Sequence, residues 1–311
     1  MYTAAPAEAM REAFGLCRAR LLRRPEASKG AGIMGLDLQA VGAETETFVM
    51  DYDWRTLALY ALGIGATRDE LPFLYEGLGP KIYPSFAVVP AYPVLDALLA
   101  KSKGPYEMVV HQGQTVTVHR ALPPKGRLET KGVLKAMYDL KRMALVVFES
   151  ESTLDGELVY SCNWQIVYRG QGGFGGDRRP KTESYNVPKR APDWSFEEKI
   201  PENQALLYRL SGDPNPLHAD PEMARSVGFD QGPILHGLAT FGYVCRAVVR
   251  NACGGDPTRI KSLTAQFKRP VWPGDSLRTD GYMEGGRVLL EAFAGGREEA
   301  VLGSSCAELA P

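Results

Sequence analysis

Two copies of one α+β unit, each an antiparallel sheet wrapped around a helix, are what this sequence predicts. Three observations carry the expectation. Leu59-Tyr60-Ala61-Leu62 returns as Leu207-Tyr208-Arg209-Leu210, at an offset of 148 residues. His119-Arg120-Ala121-Leu122-Pro123-Pro124-Lys125-Gly126 answers at the same offset to Phe267-Lys268-Arg269-Pro270-Val271-Trp272-Pro273-Gly274, and Leu128-Glu129-Thr130 answers to Leu277-Arg278-Thr279 one residue further on. Self-similarity at a fixed period marks a repeated structural unit. A chain of 311 residues also has the length of two domains of about 150 residues each.

Residues 1–30 carry Arg11, Arg18, Arg20, Arg23 and Arg24 interrupted by Glu8, Glu12 and Glu26, which reads as an N-terminal extension rather than a transit peptide. The first repeat is placed at 31–170, with a helix over Trp54–Leu62, a helical stretch near Pro93–Lys101, and strand-like runs at 107–118, 127–138, 142–152 and 157–168. Gly172-Gly173-Phe174-Gly175-Gly176 then breaks the chain, and polar sequence with prolines continues to Trp194, so 171–194 is read as a linker. Gly170, Gly172 and Gly175 satisfy a G-x-G-x-x-G pattern, but Pro180 argues against the helix that a dinucleotide fold needs directly afterwards.

The second repeat, 195–311, opens with a short amphipathic helix through Leu206, Leu207 and Leu210, stopped by Gly212. A core helix is expected from about Ile234 to Val249, because Leu235, Leu238, Phe241, Val244, Cys245 and Val248 cover most of its faces. Strand-like runs near 260–270, 276–284, 287–294 and 299–309 follow, separated by Pro273-Gly274, Gly285-Gly286 and Gly295-Gly296.

Composition narrows the function classes. The 36 Lys and Arg are offset by 37 Asp and Glu, so no basic footprint for nucleic acid is present. Five scattered cysteines with no C-x-x-C pair suggest neither a disulfide framework nor a zinc site. No apolar run is long enough to span a bilayer and no signal peptide is recognised, which points to the cytoplasm or an organelle matrix.

The chemistry is concentrated in Ser211-Gly212-Asp213-Pro214-Asn215-Pro216-Leu217-His218. Proline fixes φ, so Pro214 and Pro216 hold a bent segment from which Asp213, Asn215 and His218 can converge on one small volume. A turn explains the Asp and Asn; it has no need of the imidazole. His218 exchanges protons near neutral pH, Asp213 accepts one from water, and Asn215 orients that water or a bound acyl group. Downstream, Gly232-Pro233-Ile234-Leu235-His236-Gly237 opens the core helix, where unpaired N–H groups stabilise negative charge and Gly237 permits close approach to its own N–H. His236 reads as a helix-start or core histidine. In the first repeat, the positions matching Asp213, Asn215 and His218 are Gly65, Thr67 and Glu70, so catalysis is assigned to the second repeat alone. No G-x-S-x-G elbow surrounds Ser211, and His218 with Asp220 is too thin a set for a metal. Asp220-Pro221-Glu222 reads as an N-cap, a Pro at N1 and an acidic first turn.

Tyr208-Arg209-Leu210-Ser211-Gly212-Asp213-Pro214-Asn215-Pro216-Leu217-His218, with Gly228-Phe229-Asp230 and Ile234-Leu235-His236-Gly237-Leu238, resembles the signature of MaoC-like (R)-specific enoyl-CoA hydratases. Leu57–Ala66, Gly172–Gly176 and Pro270–Gly274 look like the hydratase 2 unit of peroxisomal multifunctional enzymes, and the resemblance covers nearly all of the chain after about residue 35. It implies a double hot-dog fold, with a catalytic half and a half that accommodates the acyl chain. It further implies a trans-2-enoyl-CoA substrate, a (3R)-3-hydroxyacyl-CoA product and a homodimer, with no metal or redox cofactor. Carried over by position, Pro214, Pro216, Leu217 and Phe267 would bind substrate, with His111, Gln112 and Lys141 from the first half. The family pattern has His-Gly where this chain has His111-Gln112. A dehydratase on a branched, steroid-derived or carrier-linked acyl group, a non-catalytic acyl-CoA-binding module and a hot-dog thioesterase remain alternatives.

Overall fold

The computed structural model describes residues 35–310 apart from Asp177 and Thr182, and the extension expected over 1–30 lies outside the described residues. Ten strands form one antiparallel sheet: β1 Phe48–Tyr52, β2 Val109–Val118, β3 Gly126–Asp139, β4 Met143–Leu154, β5 Glu157–Arg169, β6 Trp194–Lys199, β7 Ile260–Phe267, β8 Ser276–Glu284, β9 Arg287–Ala294 and β10 Leu302–Leu309. Among the described residues five α-helices accompany them: α1 Trp54–Gly63, α2 Val88–Ser102, α3 Gln204–Tyr208, α4 Pro221–Ser226 and α5 Gly237–Asn251.

The strand order is β1-β3-β4-β5-β2-β7-β10-β9-β8-β6. Read inward from either end, the two halves have one connectivity, and they join where β2 pairs antiparallel with β7. The central helices α2 and α5 each run 15 residues and begin 149 residues apart, at Val88 and Gly237. Thr115 pairs with Thr264, also 149 residues apart, and the two hydroxyls lie 3.0 Å from each other. A local two-fold therefore runs through this pair: the chain holds the two copies of one unit that the repeat predicts, arranged as the double hot-dog that the resemblance implies.

Each sheet curls around its own helix. α2 buries Val88, Val89, Ala91, Tyr92, Val94, Leu95, Leu98 and Leu99, and α5 is buried from Leu238 through Val249. A helix apolar on nearly every face is held by burial rather than by caps. Neither α2 nor α5 has a side-chain N-cap bond. α1 is capped conventionally, its Asp53 carboxylate accepting from the N–H groups of Arg55 and Thr56.

The structure corrects three expectations. α2 starts at Val88, ahead of the expected Pro93, because Pro90 falls in the first turn where no N–H is needed and core packing carries the helix through Pro93. α5 starts at Gly237, and Ile234–His236 lead into it as extended chain. The leucine stripe of α3 faces outward: Leu206 and Leu210 are 52% and 62% exposed, while Gln204, Ala205 and Tyr208 face the core. Gln204 Nε2 donates to the carbonyls of Leu62 and Gly63, so a polar side chain anchors α3 to the end of α1.

The connecting segment is packed rather than loose. Tyr185 and Val187 cover Tyr282, Leu289 and Cys306, forming a second apolar cluster on the outer side of the sheet. The N–H groups of Gly173 and Gly175 donate to the Asp139 carboxylate, so the glycine-rich stretch cradles an aspartate. Among the described residues, Cys162, Cys245, Cys253 and Cys306 are free and buried, and no helix is long and apolar enough to cross a membrane.

At the corner of the first repeat that matches the Asp213–His218 loop, Glu70 stands where the second repeat has His218. Its carboxylate accepts from Tyr83 Oη at 3.0 Å and from Arg246 Nη1 at 3.1 Å. Arg246, on α5, also donates Nε to the Ile64 carbonyl and Nη2 to Glu198. This buried ion network fills the corner.

Candidate active site

Gly212 ends the turn after α3 at a φ of +122°, a conformation that favours glycine, and swings the chain into the loop Asp213–Pro216. Asn215 caps the short 3-10 turn Pro216–His218, its Oδ1 accepting from the Leu217 N–H at 3.0 Å, with Pro216 at the first position of the turn. The Asn215 carboxamide is thus engaged locally, with Nδ2 3.5 Å from Tyr106 Oη. Asp213 Oδ1 accepts from the Asn215 N–H at 3.2 Å and from Tyr92 Oη at 2.8 Å.

Two hydrogen bonds fasten this loop to the entrance of α5. His218, 8% exposed, donates its Nδ1 hydrogen to the Ile234 carbonyl at 2.8 Å. A carbonyl only accepts, so Nδ1 carries the proton and Nε2 keeps its lone pair in the neutral ring. His236, the N-cap residue of α5 and 1% exposed, donates Nε2–H to the Asp213 carbonyl at 3.2 Å. Its Nδ1 is buried without a hydrogen-bond partner. The two imidazoles stack with centroids 3.7 Å apart. Burial pushes the His218 pKa below its usual value, and burial followed by His218 pushes that of His236 down to about 3, so both rings are neutral at pH 7.

A carboxylate oxygen of Asp213 and one ring nitrogen of each histidine all lie within 4.8 Å of one another. These polar groups share one small volume, where a water bonded to two of them would be polarised. The same three groups invite a metal reading. Stacked rings tilted by only 28° hold their lone pairs in nearly parallel planes, and those do not converge on one ion.

Gly237 is the first residue of α5, so its N–H has no acceptor within the helix. A Cβ there would stand 3.2 Å from the Phe267 ring, at the end of β7. Phe267 in turn lies against His111 of β2, at 4.8 Å between centroids, and His111 lies against Trp164. Burial pushes the His111 pKa down to about 4, and its Nε2 is bonded to the Gly113 carbonyl at 3.0 Å. Gln112 is the extra residue of a β-bulge in the β2–β5 pairing, and its Oε1 is buried without a partner. Pro214, Pro216 and Leu217 form the loop itself. Lys141 stands apart, exposed at the β3–β4 hairpin tip with a φ of +69°. Next to Phe267 in sequence, Arg269 is paired with Glu299 and Lys268 Nζ donates to Gln266 Oε1.

Three side chains that the sequence reading did not single out belong to this site: Tyr92 and Asp96 on α2, and Tyr106 ahead of β2. For Tyr92 and Asp96 the signal is two polar residues four positions apart in a stretch, 88–100, that is otherwise apolar. Burial, and then the charge of Asp213, push the Asp96 carboxyl up to about 7. The folded chain therefore keeps a proton that the unfolded chain loses near the ordinary carboxylate pKa of about 4, and stability declines as pH rises from there to about 7. Asp96→Asn is expected to raise Tm at pH 8 and to leave it unchanged at pH 4, as read by thermal denaturation at the two pH values.

Residues 50–170 match the MFE-2 hydratase 2 N-terminal domain family and residues 183–294 match the MaoC like domain family. Enoyl-CoA hydratase 2, peroxisomal, of Arabidopsis thaliana is 36% identical over 276 residues, covering 81% of this chain and 88% of the relative. The chain belongs to the MaoC-like hydratase 2 family. Another member, 3-hydroxyacyl-thioester dehydratase Y of Mycobacterium tuberculosis, is 34% identical, with 86% of this chain and 94% of the relative covered. Among solved structures, a MaoC-like dehydratase from Phytophthora capsici superposes with a TM-score of 0.80 at 31% identity, covering 88% of this chain and 98% of that one. This MaoC-like chain carries its Asp–Asn–His motif within the matched MaoC like domain, while Tyr92, Asp96 and His111 fall in the matched N-terminal domain.

Proposed function

We propose that this chain is an (R)-specific enoyl-CoA hydratase, a reversible hydro-lyase that adds water across the C2=C3 bond of a trans-2-enoyl-CoA to give a (3R)-3-hydroxyacyl-CoA. The observation that carries the reading is the clustering of Asp213 with the neutral His218, set at the open end of a buried helix. The thioester oxygen accepts from the Gly237 N–H, which makes C3 electrophilic and stabilises the enolate-like charge that develops. Asp213 and the Nε2 lone pair of His218 take a proton from the bound water, its oxygen bonds to C3, and the proton returns to C2. His236 supports this by stacking on His218 and holding the Asp213 carbonyl. Asn215 holds the loop that carries both groups.

Pro214, Pro216, Leu217, Phe267 and His111 are assigned to the thioester and the proximal acyl chain, and Gln112 and Lys141 to the CoA portion. The first repeat receives the rest of the acyl chain. α2 occupies its centre with Tyr92, Leu95 and Leu98 buried. We also propose a homodimer, supported by the exposed Leu62, Leu206 and Leu210 near the α1–α3 contact and tested by light scattering of the purified chain. The proposed location is an aqueous compartment, cytoplasm or organelle matrix, tested by imaging a tagged chain.

The deciding experiment follows loss of the conjugated enoyl-thioester absorbance for crotonyl-CoA and longer trans-2-enoyl-CoA substrates, with chiral analysis of the product. Hydration to the 3R alcohol is the expected result. Inertness toward every enoyl thioester would leave a binding module, and release of free CoA thiol would indicate a thioesterase. Gly237→Ala should lower kcat/KM by about tenfold, because the added methyl crowds Phe267 and the approach to the N–H, with little change in Tm.

A further inference from the structure

The repeat that lacks the Asp–Asn–His motif still reaches the reaction centre through one face of α2. Tyr92 and Asp96 are one helical turn apart, so their side chains share that face. Tyr92 is 8% exposed, and its hydroxyl donates to Asp213 Oδ1 at 2.8 Å, across 121 residues of sequence. The Asn215 N–H donates to the same oxygen. Two donors on Oδ1 fix the carboxylate about its side-chain torsions, and proton acceptance falls to Oδ2.

We propose that Tyr92 is a positioning residue for the Asp213 carboxylate and that Asp96 sets the negative charge beside it, so that α2 of the first repeat governs the orientation and pH range of the second repeat's base. The kinetic part of this rests on the hydratase reading. A charge-assisted hydrogen bond from a buried phenol is directional, and without it the carboxylate is free to rotate away from the water.

The titratable groups facing this pair come from several elements. From the first repeat these are Tyr92, Tyr106 and His111. From the second repeat they are Tyr208, His218 and His236, with the Arg209 cation acting on His236. Asp96 itself faces Asp213, Tyr92 and Tyr106. The neighbouring phenols are pushed above their ordinary range by burial and stay protonated, and the buried imidazoles His111, His218 and His236 are pushed down and stay neutral. Asp96, by contrast, has its carboxyl pushed up to about 7. Its ionisation around pH 7 places a second negative charge next to Asp213 and opposes the enolate charge of the transition state.

The test compares Tyr92→Phe and Asp96→Asn with the wild-type chain in two readouts. Kinetically, Tyr92→Phe should lower kcat about tenfold or more with KM within about twofold, the mark of an interaction needed in the transition state. Asp96→Asn should abolish a fall in kcat/KM as pH rises through about 7. Independently of any substrate, the side-chain carboxyl carbons of Asp96 and Asp213 are followed by NMR from pH 4 to pH 9. An inflection near pH 7 in both should vanish from Asp213 in Asp96→Asn, and Tyr92→Phe should displace the Asp213 resonance. A wild-type chain inert toward enoyl thioesters that still shows these NMR changes refutes the hydratase reading and supports the inference. Wild-type kcat and pH profile in Tyr92→Phe, or an Asp213 resonance indifferent to both substitutions, overturns the inference.

Discussion

Asp213→Asn is expected to lower kcat with crotonyl-CoA by about 10²- to 10⁴-fold while KM stays within about threefold, the range that loss of a positioned general base produces. Asparagine keeps the size of the side chain and can still meet Tyr92 and the Asn215 N–H, so the loop should keep its shape. What it loses is the capacity to accept a proton. His218→Gln should fall in the same range, and the double variant should be little worse than either single one, because the two groups act on one water. Steady-state kinetics with Tm measured alongside checks this. A kcat within threefold of wild type for Asp213→Asn would remove Asp213 from the chemistry and leave the loop as a turn.

Arg246→Ala is expected to produce the largest loss of stability, about 3–5 kcal/mol. The Arg246 side chain is 2% exposed and bonds Glu70, which is 11% exposed, and Glu198, which is 16% exposed. Removing the guanidinium leaves two poorly hydrated carboxylates and the Ile64 carbonyl without their donor. Denaturant unfolding should show the midpoint falling. A variant in which Arg246, Glu70 and Glu198 become Met, Gln and Gln should recover much of the loss, since no unpaired charge remains. An unchanged midpoint in Arg246→Ala would show that water enters the corner and replaces the arginine.

The architecture was open to reading because its turns are written in residue types. Gly285-Gly286 and Gly295-Gly296 mark the turns around β9, and Asp213-Pro214-Asn215-Pro216 announces a bent loop by residue type alone. Local chemistry of that kind survives in a linear string. The contribution of the first repeat does not, because Tyr92 and Tyr106 meet the loop across 121 and 109 residues, and only the folded β2–β7 junction brings them there. His236 was placed correctly at the helix start, yet its stacking on His218 depends on how Ile234–His236 enter α5. The α3 leucines misled for a different reason. An apolar stripe signals a buried face only when something covers it, and here Gln204 and Tyr208 took the inner positions. Asn215 shows the reverse case, a residue credited with chemistry whose oxygen completes a turn.

The Thr115–Thr264 pair sits at the middle of an unbroken ten-strand sheet, so each half supplies the hydrogen-bonding edge that the other would otherwise leave bare. The contact between Tyr92 and Asp213 adds to this mutual dependence, since the carboxylate stands in one half and the phenol in the other. A chain cut in the glycine-rich connection should therefore behave as two fragments that must be co-expressed and recombine, each alone tending to clump through its unmatched strand.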